Sequence, residues 1–382
     1  MDQGLKAKGR KIRGIIEFGR GKSYKKGESR DLEKMAPKET VESGRTSEIT
    51  SWLLEPENPS VRSFALRDLC GLREADPRVR EAKAAIMTHG PVPRILARQK
   101  GGGSWGAEAD FYERSKYKGT VWTLILLAEL GADGADPRVH KACEFLLSRS
   151  QDRESGGFAY TGSVWGGGYP SGVIPCLTGN MVWSMLRLGL QDDPRLKKAI
   201  DWLVRFRRFD DGDGPAPRGA QFFKREPCYG RHTCHMGVVK TLKALGEIPK
   251  KRRTAEIRQT IEEGTEYLLR HHLFKRSHDL AAKAKPWMAK LGFPLMWRTD
   301  ALEMLDVLAG FGCRDDRMSE AIDLVLSKRD EEGRWRLEKG FEGRLQVPLE
   351  KENHPSKWVT LSALRALKRA GPEFLGPADH PH

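Results

Sequence analysis

Two cysteines and two histidines fall within eight residues of the stretch "CYGRHTCHMG" (228–237): Cys228, His232, Cys234 and His235. Thiolate and imidazole are zinc ligands, used in tetrahedral sets that keep one position open when the metal is catalytic. The spacing matches neither a C-x-x-C zinc ribbon nor a disulfide framework. The plain alternative is packing, because small thiols are commonly core residues and His232 can cap the helix that follows. The choice depends on the elements that hold the stretch.

Bulk properties narrow the setting. The chain has 382 residues, 38% hydrophobic and 31% charged, as in a soluble globular protein with a heavily charged surface. Its longest apolar run, Val121 to Leu130, is too short to cross a bilayer. The opening "MDQGLKAKGRKIRG" is positive but lacks the apolar core of a secretory signal. Six irregularly spaced cysteines point to a reducing cytoplasm. Part of the net charge of +15 lies in residues 1–45, which carry few apolar side chains and read as a flexible basic arm. Nucleic acid, an anionic surface or a phosphorylated small molecule would each suit that charge. The nucleic-acid reading lacks the interleaved aromatics of a stacking platform.

Internal repeats define the architecture. "GTVWTLILLAELG", "CLTGNMVWSMLRLG", "HTCHMGVVKTLKALG", "RTDALEMLDVLAGFG" and "SKWVTLSALRALKRAG" share helical apolar spacing and a closing glycine, with "VRSFALRDLCG" as a shorter first member. From Gly71 onward the closing glycines lie 60, 58, 57, 66 and 59 residues apart. Between them run amphipathic segments such as "DPRVREAKAAI", "DPRVHKACEFLLSRSQ", "DPRLKKAIDWLVRF" and "DRMSEAIDLVLSK", each opened by a capping Asp and three with Pro at the first helical position. "SEITSWLL" and "AEIRQTIEEGTEYLL" fill the remaining places. Six apolar inner helices and six amphipathic outer ones predict an all-α fold, an (α/α)6 barrel over residues 46–372, with a tail at 373–382. An open solenoid of helix pairs shares the period.

A short pattern favours closure. Gln99, Gly103 and Trp105 form Q-x-x-x-G-x-W in "QKGGGSWG"; "RDEEGRW" keeps Gly333 and Trp335 with Arg329 in the glutamine place, and "QDRESGGF" is one residue longer. This resembles the QW repeat of squalene–hopene cyclases and their relatives in the terpenoid cyclase and protein prenyltransferase superfamily. The resemblance covers roughly residues 46–371 and implies a closed α/α toroid with a central cavity; it specifies fold more than reaction.

Registered on their closing glycines, Cys176 falls level with Thr233 on the next inner helix, and so within one position of His232 and Cys234. Prenyltransferase β-subunits carry an H-T-C-Y-C stretch whose histidine binds zinc, and "HTCHM" is similar at His232, Thr233 and Cys234. Their D-x-C cysteine corresponds to Cys176, although Ile174 stands where the aspartate would be. The resemblance thus implies zinc held by Cys176, His232, Cys234 and His235, with Cys228, Cys234 or His235 replacing the absent ligand. Lanthionine cyclases, also toroids, bind zinc through C-Y-G and C-H-G stretches, similar to "CYG" and "CHMG" here, but those lie on different helices. Positive helix ends would favour the thiolates. Packing remains the other reading.

The proton donor D-x-D-D of cyclases and the magnesium-binding D-D-x-x-D are absent; "DDGD" at Asp210–Asp213 is out of order. A diphosphate pocket needs cations at a rim of helix N-termini, where Lys118, Arg231, Arg298 and Lys357 fall. Trp122, Trp183 and Trp358, in the first turns of inner helices, suit an apolar cavity, and equally a core. Asp300 opens an inner helix as a general base, a second-shell partner or an N-cap. The histidines of "RHHLFKRSHD" read as a basic loop. A glycosidase would need a second carboxylate across the cavity, and Asp300 has no evident partner in sequence. The leading expectation is a prenyltransferase-like, zinc-dependent transferase acting on an apolar, isoprenoid-like anion or a thiol. The β-subunit resemblance leaves a helical protein partner open. The alternative is a non-catalytic toroid that binds an apolar ligand or a protein partner.

Overall fold

The computed structural model describes residues 42–112, 116–230 and 232–375. The expected basic arm lies outside them except at 42–45, as do Arg231 and residues 376–382 of the tail. In chain order the helices are α1 (Glu42–Leu53), α2 (Pro59–Asp68), α3 (Pro77–Ile86), α4 (Pro91–Leu96), α5 (Thr120–Glu129), α6 (Pro137–Arg149), α7 (Pro175–Arg187), α8 (Pro194–Arg205), α9 (Glu226–Tyr229), α10 (His235–Gly246), α11 (Ala255–Arg270), α12 (Ala301–Gly310), α13 (Ser319–Leu326) and α14 (Lys357–Ala370). A small hairpin, β1 (Lys275–Arg276) and β2 (Asp279–Lys283), follows α11.

Among the described residues, α2, α5, α7, α10, α12 and α14 form the inner layer, and α1, α3, α6, α8, α11 and α13 the outer one. Each outer helix packs on its inner neighbour, and the last inner helix, α14, packs on both α12 and α2. The Ser60 hydroxyl of α2 donates to the Leu130 carbonyl after α5 at 2.7 Å. The ring is therefore closed, and the (α/α)6 toroid stands in place of the open solenoid.

Local chemistry explains the helix ends. Asp76, Asp136 and Asp193 each accept a hydrogen bond from the backbone N–H two residues on, ahead of Pro at the first position. At α13 a 3₁₀ turn intervenes, and Asp315 rather than Asp316 is the cap. Gly71, Gly131, Gly189 and Gly312 close their helices in the left-handed region, as the spacing predicts. Gly246 and Gly371 do not: α10 runs through Gly246, and Gly371 is extended.

The Q-x-x-x-G-x-W pattern is a clasp between successive repeats. The Gln99 side chain donates to the Arg138 carbonyl in the next outer helix at 2.8 Å, the Trp105 amide donates to Thr120 Oγ1 on the next inner helix at 3.0 Å, and Trp105 Nε1 donates back to Ile95 at 2.9 Å. The longer copy repeats this through Gln151, Phe158 and Thr178, and the third through Trp335, Thr360 and Val325. At each glycine the loop lies against the following outer helix: a Cβ on Gly103 or Gly156 would strike the backbone of Lys141 or Lys198. On Gly333 it would strike Ile49 of α1, so the last clasp closes onto the first outer helix.

The two faces of the ring differ. Connections from inner to outer helices take six to eight residues, whereas those from outer helix to next inner helix, after α1–α2, take 25 to 33. The long connections cover the N-terminal ends of the inner helices. There Asn180 donates to the Met296 carbonyl at 3.0 Å, Trp297 Nε1 donates to the Tyr117 hydroxyl at 3.0 Å, and Phe341 packs on Tyr117.

Candidate functional site

The first candidate is the thiol cluster. Helices α7 and α10 pack closely because Gly179 faces the Lys240 backbone of α10 and Gly237 faces the Pro175 ring of α7; a Cβ on Gly179 would sit 2.6 Å from the Lys240 carbonyl. This brings Cys176, in the first turn of α7, beside Cys234, the N-cap of α10. Cys228 comes from the one-turn helix α9. The loop is braced by Arg208, which donates to the carbonyls of Tyr229 (3.2 Å) and Gly230, and by Thr233, which donates to Asp210 at 3.2 Å. The Cys228 thiol hydrogen-bonds Cys234 and lowers it to about 7 against the pull of burial, with the amides of Gly237 and Met236 adding to the effect. That same bond, then burial, raises Cys228, and burial beside Cys234 pushes Cys176 up to about 12.

The histidines do not join the thiols. His232 is exposed. His235 is buried and turned the other way, with Nε2 at 2.8 Å from the Leu273 carbonyl and 3.2 Å from Met304 Sδ, its ring edge-on to His271. Burial, then the neighbouring His271, lowers it to about 3, so its imidazole is neutral. The quartet Cys176, His232, Cys234 and His235 is thus not assembled around one point. Among the described residues no group of three His, Cys, Asp or Glu side chains is arranged to hold a metal. These residues do not fit zinc as the resemblance implied it.

The second candidate is the centre of the ring, a cavity of about 510 Å³. Its floor is Asp300 and Trp358, buried beneath the covering loops, with half-buried Phe293 beside them; its walls are the last turns of the inner helices, where Arg67, Arg187, Glu247 and Arg369 are partly exposed. The opening is therefore at the C-terminal ends of the inner helices, opposite the rim singled out from sequence. The Trp358 ring stacks on Phe293 with centroids 4.3 Å apart and planes 7° apart, and Phe64 leans on it at 6.1 Å. Trp183 donates from Nε1 to Glu247 at 3.0 Å and carries the Lys243 ammonium 4.0 Å from its ring centre.

Asp300 is 1% exposed. One carboxyl oxygen accepts the Glu303 amide at 2.8 Å, capping α12, and the other accepts the Gly292 amide at 2.9 Å. Burial raises it to about 7 despite those amides, with the neighbouring Glu303 charge adding to the rise. The charged side chains above it are paired. Lys240 donates to both oxygens of Glu303 at 2.7 Å, while Lys243 bridges Glu303 at 3.1 Å and Glu129 at 2.7 Å. Against its burial, Lys240 and Lys243 hold Glu303 down to about 2. Arg365 pairs with Asp306 at 2.7 Å and Asp68 at 3.3 Å.

Of the residues singled out for substrate, Trp183 and Trp358 meet at this cavity, together with Asp300, the candidate for catalysis. The others do not. Trp122 is core, donating to the Tyr112 carbonyl at 2.6 Å. Lys118 is exposed on the covered face, its carbonyl accepting from Gln346. Arg298 lies over the rings of Trp287 and Trp297, and Lys357 pairs with Glu55. Sequence reasoning missed Glu129, Lys243, Glu303, Asp306 and Arg365. Their signal was charge inside otherwise apolar inner-helix segments, which in a closed ring can only face the centre or a neighbouring helix.

No family model and no curated protein matches this chain. Among solved structures it is similar to a substituted form of the type II terpene cyclase MstE from Scytonema, in complex with geranylgeranyl dihydroxybenzoate: 15% identity over 87% of this chain and 98% of that one, TM-score 0.43. A second MstE variant, in complex with merosterolic acid A, gives 15% identity over 87% and 97% of the two chains at TM-score 0.41. A GH76 α-mannanase from Bacteroides thetaiotaomicron gives 15% over 66% and 68%, at TM-score 0.37. The toroid stands on this chain's own helices, and these scores say nothing of its reaction. No helix among the described residues is long and apolar enough to cross a membrane.

Proposed function

We propose that this toroid binds an apolar, isoprenoid-like small molecule in its central cavity, with Asp300 placed to exchange a proton with a polar atom of that molecule. The observation that carries the reading is the floor itself: a stacked Phe293–Trp358 pair beside a buried carboxyl that titrates at about 7. Such a carboxyl is matched to general acid–base work near neutrality, and too weak an acid to protonate an isolated alkene. Stacked aromatics supply apolar contact and stabilise positive charge.

The geometry gives a diphosphate less support. Arg187, Lys243, Arg365 and Arg369 at the walls each have a carboxylate partner, so an anionic head would have to displace Asp or Glu. A neutral polar head meets no such competition.

Fluorescence titration with farnesol and with farnesyl diphosphate tests this. Farnesol is expected to quench tryptophan emission saturably, and Trp358→Ala to weaken its binding by about tenfold through the lost stacking contact. The diphosphate should bind no more tightly than the alcohol. No saturable farnesol binding, or equal affinity in Trp358→Ala, would remove the reading.

A further inference from the structure

The cleft beside the thiols points to chemistry separate from the central cavity. It holds about 30 Å³, the scale of one or two small polar molecules, and is lined by Trp202, Cys228, Tyr229, Thr233 and Cys234 among others. Two of these side chains, Trp202 and Tyr229, are each 2% exposed. Among the described residues neither Trp202 Nε1 nor the Tyr229 hydroxyl has a hydrogen-bond partner. The Trp202 indole edge lies against Gly157, outside the cleft lining, so the Tyr229 hydroxyl is the orphan that marks a place for an acceptor there, since buried donors are nearly always satisfied. Cys228 and Cys234 line the same cleft, both half-buried, on a loop held by the Arg208 and Thr233 braces.

We propose that this cleft is a hydroperoxide site, in which Cys234 is oxidised and Cys228 closes a disulfide onto it. In the first step the Cys234 sulfur attacks one peroxide oxygen. The S–O bond forms as the O–O bond breaks, and the distal oxygen leaves with the thiol proton as water, or as an alcohol from an alkyl hydroperoxide. The Tyr229 hydroxyl is the donor available to the peroxide. In the second step the Cys228 sulfur attacks the Cys234 sulfenic acid; the S–S bond forms, the S–O bond breaks, and the Cys228 proton leaves with the hydroxyl as water. In sum, two thiols and one hydroperoxide give a disulfide, water and water or alcohol; sulfur loses two electrons and the peroxide gains them.

The test uses the full, reduced chain exposed to about one equivalent of hydrogen peroxide, then alkylation of remaining thiols and peptide mass spectrometry. Half-buried Cys313 serves as internal reference. A Cys228–Cys234 disulfide should appear at least tenfold faster than any oxidation of Cys313. Cys228→Ser should instead accumulate a sulfenic acid on Cys234, trapped by dimedone, and Cys234→Ser should leave Cys228 alkylated. If Cys228 and Cys234 oxidise no faster than Cys313, or if Cys234 pairs with Cys176, the proposal is overturned by the unsubstituted protein alone.

Discussion

Replacing Asp300 with Asn separates the buried-acid claim from a plain capping role. The ordinary aspartate value is 3.8 and the folded value about 7. Because the folded state holds this proton more tightly, Asp300 favours folding fully below the lower value. That advantage is lost as pH rises towards the higher one, beyond which the cost of burying the charge stays constant. From about pH 5 to about pH 8 the group should therefore remove about 2 to 3 kcal/mol from the native protein. Asn caps helices as well as Asp does. It offers one carbonyl oxygen where Asp300 accepts two amides, so its absolute stability should drop by about 1–2 kcal/mol. The slopes are thus the comparison to make. Urea unfolding at several pH values should show the wild type losing about 2 to 3 kcal/mol more than Asp300→Asn over that interval. Parallel curves would refute a raised carboxyl and leave Asp300 as a cap alone.

Two further substitutions probe the frame. Gly103→Ala meets both a positive φ of 89° and a Cβ 2.5 Å from the Lys141 carbonyl, so it should cost about 3 kcal/mol in thermal or urea unfolding. Gly71→Ala, with φ of 71° and open space, should cost only about 1 kcal/mol. Lys240→Met strips Glu303 of its bidentate partner inside the ring and should cost about 3 kcal/mol, partly recovered in Lys240→Met/Glu303→Leu. Equal stability of the single and double variants would show that the pair is not strained by its burial.

The fold was legible because each repeat states it several times over: apolar spacing, a capping Asp before Pro, and Q-x-x-x-G-x-W. The clasp even reads through Phe158 and Arg329, which keep the geometry without the consensus side chain. The site was only half legible. Registering the closing glycines placed Cys176 beside Cys234, since close α7–α10 packing needs only Gly179 and Gly237. It could not tell which way His235 turns, because that depends on a hydrogen bond to Leu273, 38 residues on. The cavity was sought at the wrong end of the ring. Loop length held the answer: connections of 25 residues or more fold over the N-terminal ends, and connections of eight or fewer leave the C-terminal ends open.

The central claim is that an apolar ligand occupies the middle of the ring. Photo-crosslinking with a diazirine-bearing farnesol analogue, followed by peptide mapping, tests it most directly. Adducts should concentrate on the floor and walls, at Phe293, Trp358 and Trp183, and be competed away by unlabelled farnesol. Adducts confined to exposed apolar side chains such as Val164 and Trp165, and indifferent to competitor, would contradict the account.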